Sequence, residues 1–325
     1  MIENLLDPVI LFFVVGLIAG ILKTDLKLPE PIYEVLSIYL LIAIGLKGGI
    51  QLSEVNFEKI VFPTLGTIFI GIITPIIAYI ILRRVGRFDR ANSAAIAAHY
   101  GSVSAVTYAV VIAFLDKFKI SYEGYTTVLL VVLEIPAIAV GILIAKFKAS
   151  KGPFSMSKLI KEVLFGRSIY LLVMGLLIGY VLSPEKISSI KILFTDLFKG
   201  MLAFFLLEMG LVTSYRLKDL KRVGIFLIAF GVIMPLISGV IGTLVGWLVG
   251  LSVGGTTVLA TLSASASYIA APAAMRIAVP EANPTFYLTA SLGITFPFNL
   301  ILGIPIYYWM ASIIVWGKNE RKEIS

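Results

Sequence analysis

The sequence contains no cysteine, which excludes disulfide cross-links and thiolate metal sites. It contains one histidine, His99, so no histidine metal cluster can form. No His-Glu-x-x-His zinc motif occurs, and a Ser–His nucleophile pair would have to use His99. These absences argue against an intramembrane hydrolase, and the chain reads as a non-enzyme. Charge is also sparse: Asp, Glu, Lys and Arg make up 14% of residues.

What is present is apolar. Of the 325 residues 59% are hydrophobic, against roughly 45–50% in soluble domains. Several apolar stretches reach the ~20 residues that a helix needs to cross a hydrocarbon core. The chain is therefore an all-α, multi-pass membrane protein. The first apolar segment has no basic lead-in and reads as a retained helix, not a cleaved signal. The net charge of +8 does not point to nucleic acid, because basic residues of membrane proteins collect in cytoplasmic loops.

Ten segments are predicted, at 8–22, 32–52, 60–82, 91–115, 125–147, 168–182, 190–215, 224–249, 252–279 and 286–316. The first and sixth are short, and the tenth should bend at Pro297 and Pro305. An internal repeat runs through them. Gly16 and Gly20 match Gly175 and Gly179, Gly45 matches Gly210, Pro75 matches Pro235, and Glu134-Ile135-Pro136 matches Thr295-Phe296-Pro297. The offsets stay between 159 and 165 residues. Five helices repeated once must enter from opposite sides, which predicts two inverted repeats related by an axis in the membrane plane. The plan is a first repeat over 1–147, a connector over 148–167, a second repeat over 168–317 and a tail over 318–325. Lys and Arg in the loops divide seventeen to eight in favour of the side that carries the connector. That side is then cytoplasmic and both termini lie outside. The basic connector suits a solvated link, contact with anionic membrane lipid, or docking.

The fourth and ninth segments each carry a polar break. The first is Gly101-Ser102-Val103-Ser104 and the second is Ala264-Ser265-Ala266-Ser267. About ten residues of helix, or about 15 Å, precede the first break, which puts it near the middle of a ~30 Å core. Bare backbone is tolerated there only inside protein or beside a water-filled cavity. A helix start carries unpaired N–H groups and about half a positive charge. Two starts aimed at one point make an anion site without a cationic side chain. The second half-helices are expected to begin near Ser104 and Ser267, since serine caps helices well. Small hydroxyl residues also serve close helix packing, but two such breaks at symmetric positions favour a site. No arginine lies in a predicted membrane interior, which suits a small monovalent anion better than a dianion.

Ionisable groups at this depth are costly and usually functional. Glu134 precedes Pro136, where helix carbonyls are partly freed. With Thr107, Thr295 and Asn299 it offers hard oxygen ligands of the kind Na⁺ prefers. Lys47 and Glu208 form an expected ion pair, and Asp196 and Lys199 are expected at an interface. His99 flanks the first break, either as a packed residue or as a proton sensor.

Two stretches together resemble the SbtA-type sodium-dependent bicarbonate transporters: Tyr100-Gly101-Ser102-Val103-Ser104-Ala105-Val106-Thr107 and Ser265-Ala266-Ser267-Tyr268-Ile269-Ala270-Ala271-Pro272-Ala273-Ala274-Met275-Arg276. The resemblance covers nearly the whole chain. It implies a core of segments three to five and eight to ten, and a gate of segments one, two, six and seven. It implies import of bicarbonate with Na⁺ as coupling ion and no organic cofactor. Bicarbonate would lie between the two breaks. The resemblance further implies a homotrimer in the inner membrane and a PII-like cytoplasmic regulator that binds adenine nucleotides. A sodium-coupled organic-anion carrier or a sodium/proton antiporter on the same plan is the alternative. The absence of acidic residues from 101–107 and 263–270 counts against the antiporter.

Overall fold

A computed structural model describes residues 7–146, 161, 165–182 and 188–323. Among them the chain is helical and contains no strand. Most of the connector and the end of the tail lie outside the described residues. The helices are α1 (Pro8–Ile21), α2 (Glu30–Ser53), α3 (Glu58–Arg84), α4 (Arg90–Gly101), α5 (Ala105–Lys117), α6 (Thr126–Lys146), α7 (Arg167–Val181), α8 (Phe198–Leu217), α9 (Leu220–Leu248), α10 (Val253–Ala264) and α11 (Ala270–Ala278). The last run starts as α12 (Pro284–Leu288) and ends as α13 (Ile304–Glu323).

Among the described residues, seven helical stretches are long and apolar enough to cross a membrane. One of these is α4 and α5 taken together. Three shorter apolar helices, α1, α7 and α10, accompany them. Helix thus stands at every segment read from the sequence. The first and sixth are short, and the fourth and ninth are broken.

The tenth segment departs from a simple proline bend. Thr289–Thr295 and Asn299–Gly303 are π-helical, on either side of the turn Phe296–Phe298 that contains Pro297. Proline has no N–H to donate, and wider turns on both sides absorb the lost hydrogen bond. In α9 the strain is local instead: Gly224 has φ 78°, a left-handed value that suits a residue without Cβ.

Helix pairing follows from small residues. A Cβ on Gly16 would stand 1.9 Å from the Leu207 carbonyl oxygen, and one on Gly210 would stand 2.1 Å from that of Phe13, so α1 and α8 touch backbone to backbone. Gly45 and Gly49 of α2 meet Gly175 and Gly179 of α7 in the same way. Without a hydrophobic driving force in lipid, such close approach is what holds helices together. Around this frame α3 packs on α4 and α6, while α9 packs on α10 and the α12–α13 run.

The charged residues give one correction. Lys47 does not pair with Glu208. Its Nζ lies 3.2 Å from Asp116 Oδ2, across from the end of α5. One oxygen of Glu208 is buried without a hydrogen-bond partner. Asp116 sits at a segment end and is free to reach back, which segment-by-segment pairing did not anticipate. Asp196 and Lys199 are exposed, as an interfacial position requires.

Candidate functional site

Each broken helix is capped where it starts, and the first is also capped where it restarts. Asp89 accepts from the Asn92 N–H at the head of α4 (2.9 Å), and Ser252 accepts from the Gly255 N–H at the head of α10 (3.1 Å). Burial of the Asp89 carboxyl acts to raise its pKa, but the Asn92 hydrogen bonds prevail and hold it below the usual carboxylate value. The two heads lie at opposite ends of the bundle. The Asn283 N–H, just before α12, donates to Asn92 Oδ1 (2.7 Å), whereas Glu123, just before α6, accepts from the N–H and hydroxyl of Ser252.

Inside, α4 ends at Gly101 and α5 restarts at Ala105 with Ser104 as N-cap, its Oγ accepting from the Thr107 N–H (3.1 Å). The second helix ends at Ala264 and restarts at Ala270, where Ser267 Oγ accepts from the Ala271 N–H (3.2 Å). The first restart follows Ser104 directly, whereas the second begins three residues after Ser267, with Ile269 at its N-cap position. Between the ends the backbone is extended, with ψ 173° at Ser102 and 162° at Ser265.

The two extended pieces hydrogen-bond to each other. The Ser104 N–H donates to Ser265 Oγ (3.0 Å), and the Ser267 N–H donates to the His99 carbonyl (2.9 Å). Gly101, Ser102, Val103, Ser104, Ala264, Ser265, Ala266 and Ser267 are therefore one buried unit. Glu134 of α6 joins it, because the Val103 N–H donates to its Oε2 (3.3 Å). Glu134 is 7% exposed. The Ser102 hydroxyl faces the same carboxyl without completing a hydrogen bond, and Tyr268 carries a second buried hydroxyl without a partner. A protein rarely leaves such groups unsatisfied unless a ligand or water completes them.

A narrow cavity of about 20 Å³ opens beside this unit. Val103, Ser104, Glu134, Ser267 and Tyr268 form one wall, and Leu41 of α2 and Leu172 of α7 stand on the other. Its chemistry is a pair of helix starts, serine hydroxyls and one carboxyl, faced by apolar side chains. That can cradle a small anion at the helix starts and a cation at the carboxyl.

The remaining cation candidates lie elsewhere. The Thr295 hydroxyl donates to the Gly231 carbonyl and meets the Tyr100 hydroxyl, each at 2.7 Å. Asn299 donates to the Ala264 carbonyl (2.9 Å) and accepts from the Tyr307 hydroxyl (2.8 Å). Thr295 thus braces the first broken helix against α9, and Asn299 braces the end of the second. Thr107 is buried in the first turn of α5, and none of the three lines the cavity. No cluster of three His, Cys, Asp or Glu that could hold a metal occurs among the described residues, so a cation here would rest on hydroxyl and carbonyl oxygens beside one carboxyl. His99 is packed: Nδ1 bonds the Ala95 carbonyl at 2.7 Å and the ring stacks on Tyr287. Sequence reasoning missed Tyr268, although it directly follows the second break, and missed Leu41 and Leu172, which no local pattern marks.

A family model described as the Na⁺-dependent bicarbonate transporter superfamily matches residues 8–312. Comparison with individually curated proteins gave no match. The chain belongs to this superfamily.

Proposed function

With that membership as premise, we propose that the protein imports bicarbonate together with Na⁺ by alternating access. The anion binds at the starts of α5 and α11, between Gly101, Ser102, Val103 and Ser104 on one side and Ala264, Ser265, Ala266 and Ser267 on the other. The single observation that carries this reading is the position of Glu134. Its carboxylate reaches the first break and lines the same cavity as Ser104 and Ser267. A carboxylate beside an anion cradle is repulsive. Two like charges about 4 Å apart cost about 4 kcal/mol at an effective dielectric of 20. Na⁺ held by Glu134 removes that penalty, so the anion binds well only after the cation. Thr107, Thr295 and Asn299 then act in the second rank, holding the helix ends that present the site.

The moving parts follow the helix pairing. Helices α3–α6 and α9–α13 form the core, and α1, α2, α7 and α8 form the gate. The two crossing helices, which start from opposite ends, and the matched glycine contacts support two inverted repeats, 1–147 and 168–317. The proposal keeps a homotrimer in the inner membrane, both termini outside, and a PII-like regulator at the connector.

The test is uptake of labelled bicarbonate by the purified protein in liposomes, with acetate and a bile salt as competitors. Uptake should require an inward Na⁺ gradient; equal uptake in potassium buffer overturns the coupling. A tenfold gradient supplies about 1.4 kcal/mol per Na⁺. If two Na⁺ accompany each anion, uptake gains a further ~2.3 kcal/mol per 100 mV of potential, and clamping the voltage reads the stoichiometry.

Glu134→Gln keeps the shape and removes the charge. Sodium dependence should fall at least about tenfold, while bicarbonate affinity at saturating Na⁺ changes little. An unaltered sodium response would take Glu134 out of the cation site.

A further inference from the structure

A second cleft, of about 400 Å³, opens on the face that carries the head of α7. Arg167 of α7, Arg216 of α8 and Arg276 of α11 line it, with Glu34 as the only carboxylate of the lining among the described residues. Arg167 lies 3.3 Å from Glu34, and both side chains are about half exposed, 54% and 49%. Such an exposed pair is weak and exchanges readily. Arg216 meets Asp219 only at 3.9 Å, and Asp219 is shared with Arg222. Arg276 makes no ion pair among the described residues. The cleft therefore holds three guanidiniums against one carboxylate, between apolar walls such as Leu288 and Leu292. Like charges in a low-dielectric cleft concentrate counter-ions.

The guanidiniums come from opposite walls. Arg167 and Arg216 belong to α7 and α8, and Arg276 to α11. The planar fork of arginine matches a multi-oxygen anion with two parallel hydrogen bonds. The buried site at the crossing contains no guanidinium and suits a small monovalent anion. The cleft has the opposite chemistry, and its volume exceeds what bicarbonate needs. We propose that it is a separate binding site for a phosphate-bearing anion, held between Arg276 on one wall and Arg167 and Arg216 on the other. The cleft shares Tyr268 and Ile269 with the cavity beneath the crossing. An anion bound there stands beside that cavity and ties α7 and α8 to α11. Slower transport with the site filled rests on the proposed bicarbonate cycle; binding itself does not, so a binding measurement separates the two.

The phosphate group can come from solution or from a lipid headgroup. The full-length protein is placed in nanodiscs of phosphatidylcholine, with or without phosphatidic acid, in 150 mM NaCl, a chosen test concentration of about physiological strength. Radiolabelled inorganic phosphate is titrated, and retained lipid is read by native mass spectrometry. Saturable phosphate binding in pure phosphatidylcholine, weakened at least about tenfold by Arg276→Gln and unchanged by Arg222→Gln, identifies a soluble ligand. Retained phosphatidic acid that blocks phosphate binding, and that Arg276→Gln releases, identifies a headgroup. Arg276→Lys keeps the charge and loses the fork, so its binding should fall between the two. Arg167→Gln replaces Arg276→Gln if the latter does not elute as folded protein. Absence of saturable binding in both discs, or equal binding by the wild type and the Arg276 and Arg167 variants, overturns the proposal.

Discussion

Ser265→Leu should reduce sodium-driven bicarbonate uptake to the level of empty liposomes, a loss of at least about a hundredfold. Three effects act together. Ser265 Oγ accepts from the Ser104 N–H (3.0 Å) and donates to the Leu262 carbonyl (2.8 Å). Leucine removes the acceptor and strands a buried N–H, which costs about 1–3 kcal/mol. It also overfills a position that is 1% exposed, for another ~1–3 kcal/mol. The added side chain then occupies the space between the two helix starts, where the anion is proposed to bind. Ser265→Ala separates these effects, since it loses the hydrogen bond without adding volume and should retain part of the activity. Gel filtration of both variants shows whether they assemble. Undiminished uptake by an assembled Ser265→Leu protein would remove this serine from the anion site.

Gly45→Val should yield no folded protein. A Cβ at Gly45 would lie 2.4 Å from the Leu172 carbonyl oxygen, 3.0 Å from the Leu176 nitrogen and 3.1 Å from the Gly175 Cα. All three are backbone atoms of α7, so no rotamer change relieves the clash and the helices must part. The expected loss exceeds ~4 kcal/mol, the range reached only when a core contact is destroyed. Gly200→Val is the control, because nothing lies within 4 Å of a Cβ there. The control should elute as the wild type does, while Gly45→Val aggregates. A monodisperse, heat-stable Gly45→Val protein would show that α2 and α7 do not meet at this point.

The helix breaks were legible because runs of hydroxyl and small residues interrupt the same segment of both repeats. Ser104 caps α5, and Ser267 accepts from the first turn of α11, through contacts within four residues that spacing alone can report. The glycines were legible as a repeat but not as an interface. Which helix Gly16 faces is a property of residues nearly two hundred positions away. Side-chain partners were the least legible. Thr295 occupies the repeat position of Glu134, and the match suggested a shared role as a cation ligand. Its hydroxyl also meets Gly231 and Tyr100, and neither contact leaves a trace in the local sequence. Lys47 likewise found Asp116, at the end of another segment, and not Glu208 in the middle of one.

The crossed pairing of α1 with α8 and of α2 with α7 has a consequence for biosynthesis. Each early helix waits for a partner made much later, so the first half of the chain leaves the ribosome with its glycine faces bare. Contacts of such high sequence separation form slowly, and half-made intermediates are prone to wrong association. Neither half can complete its own scaffold. The two halves expressed as separate chains should nevertheless find each other in one membrane, because glycine faces on α1, α2, α7 and α8 join them.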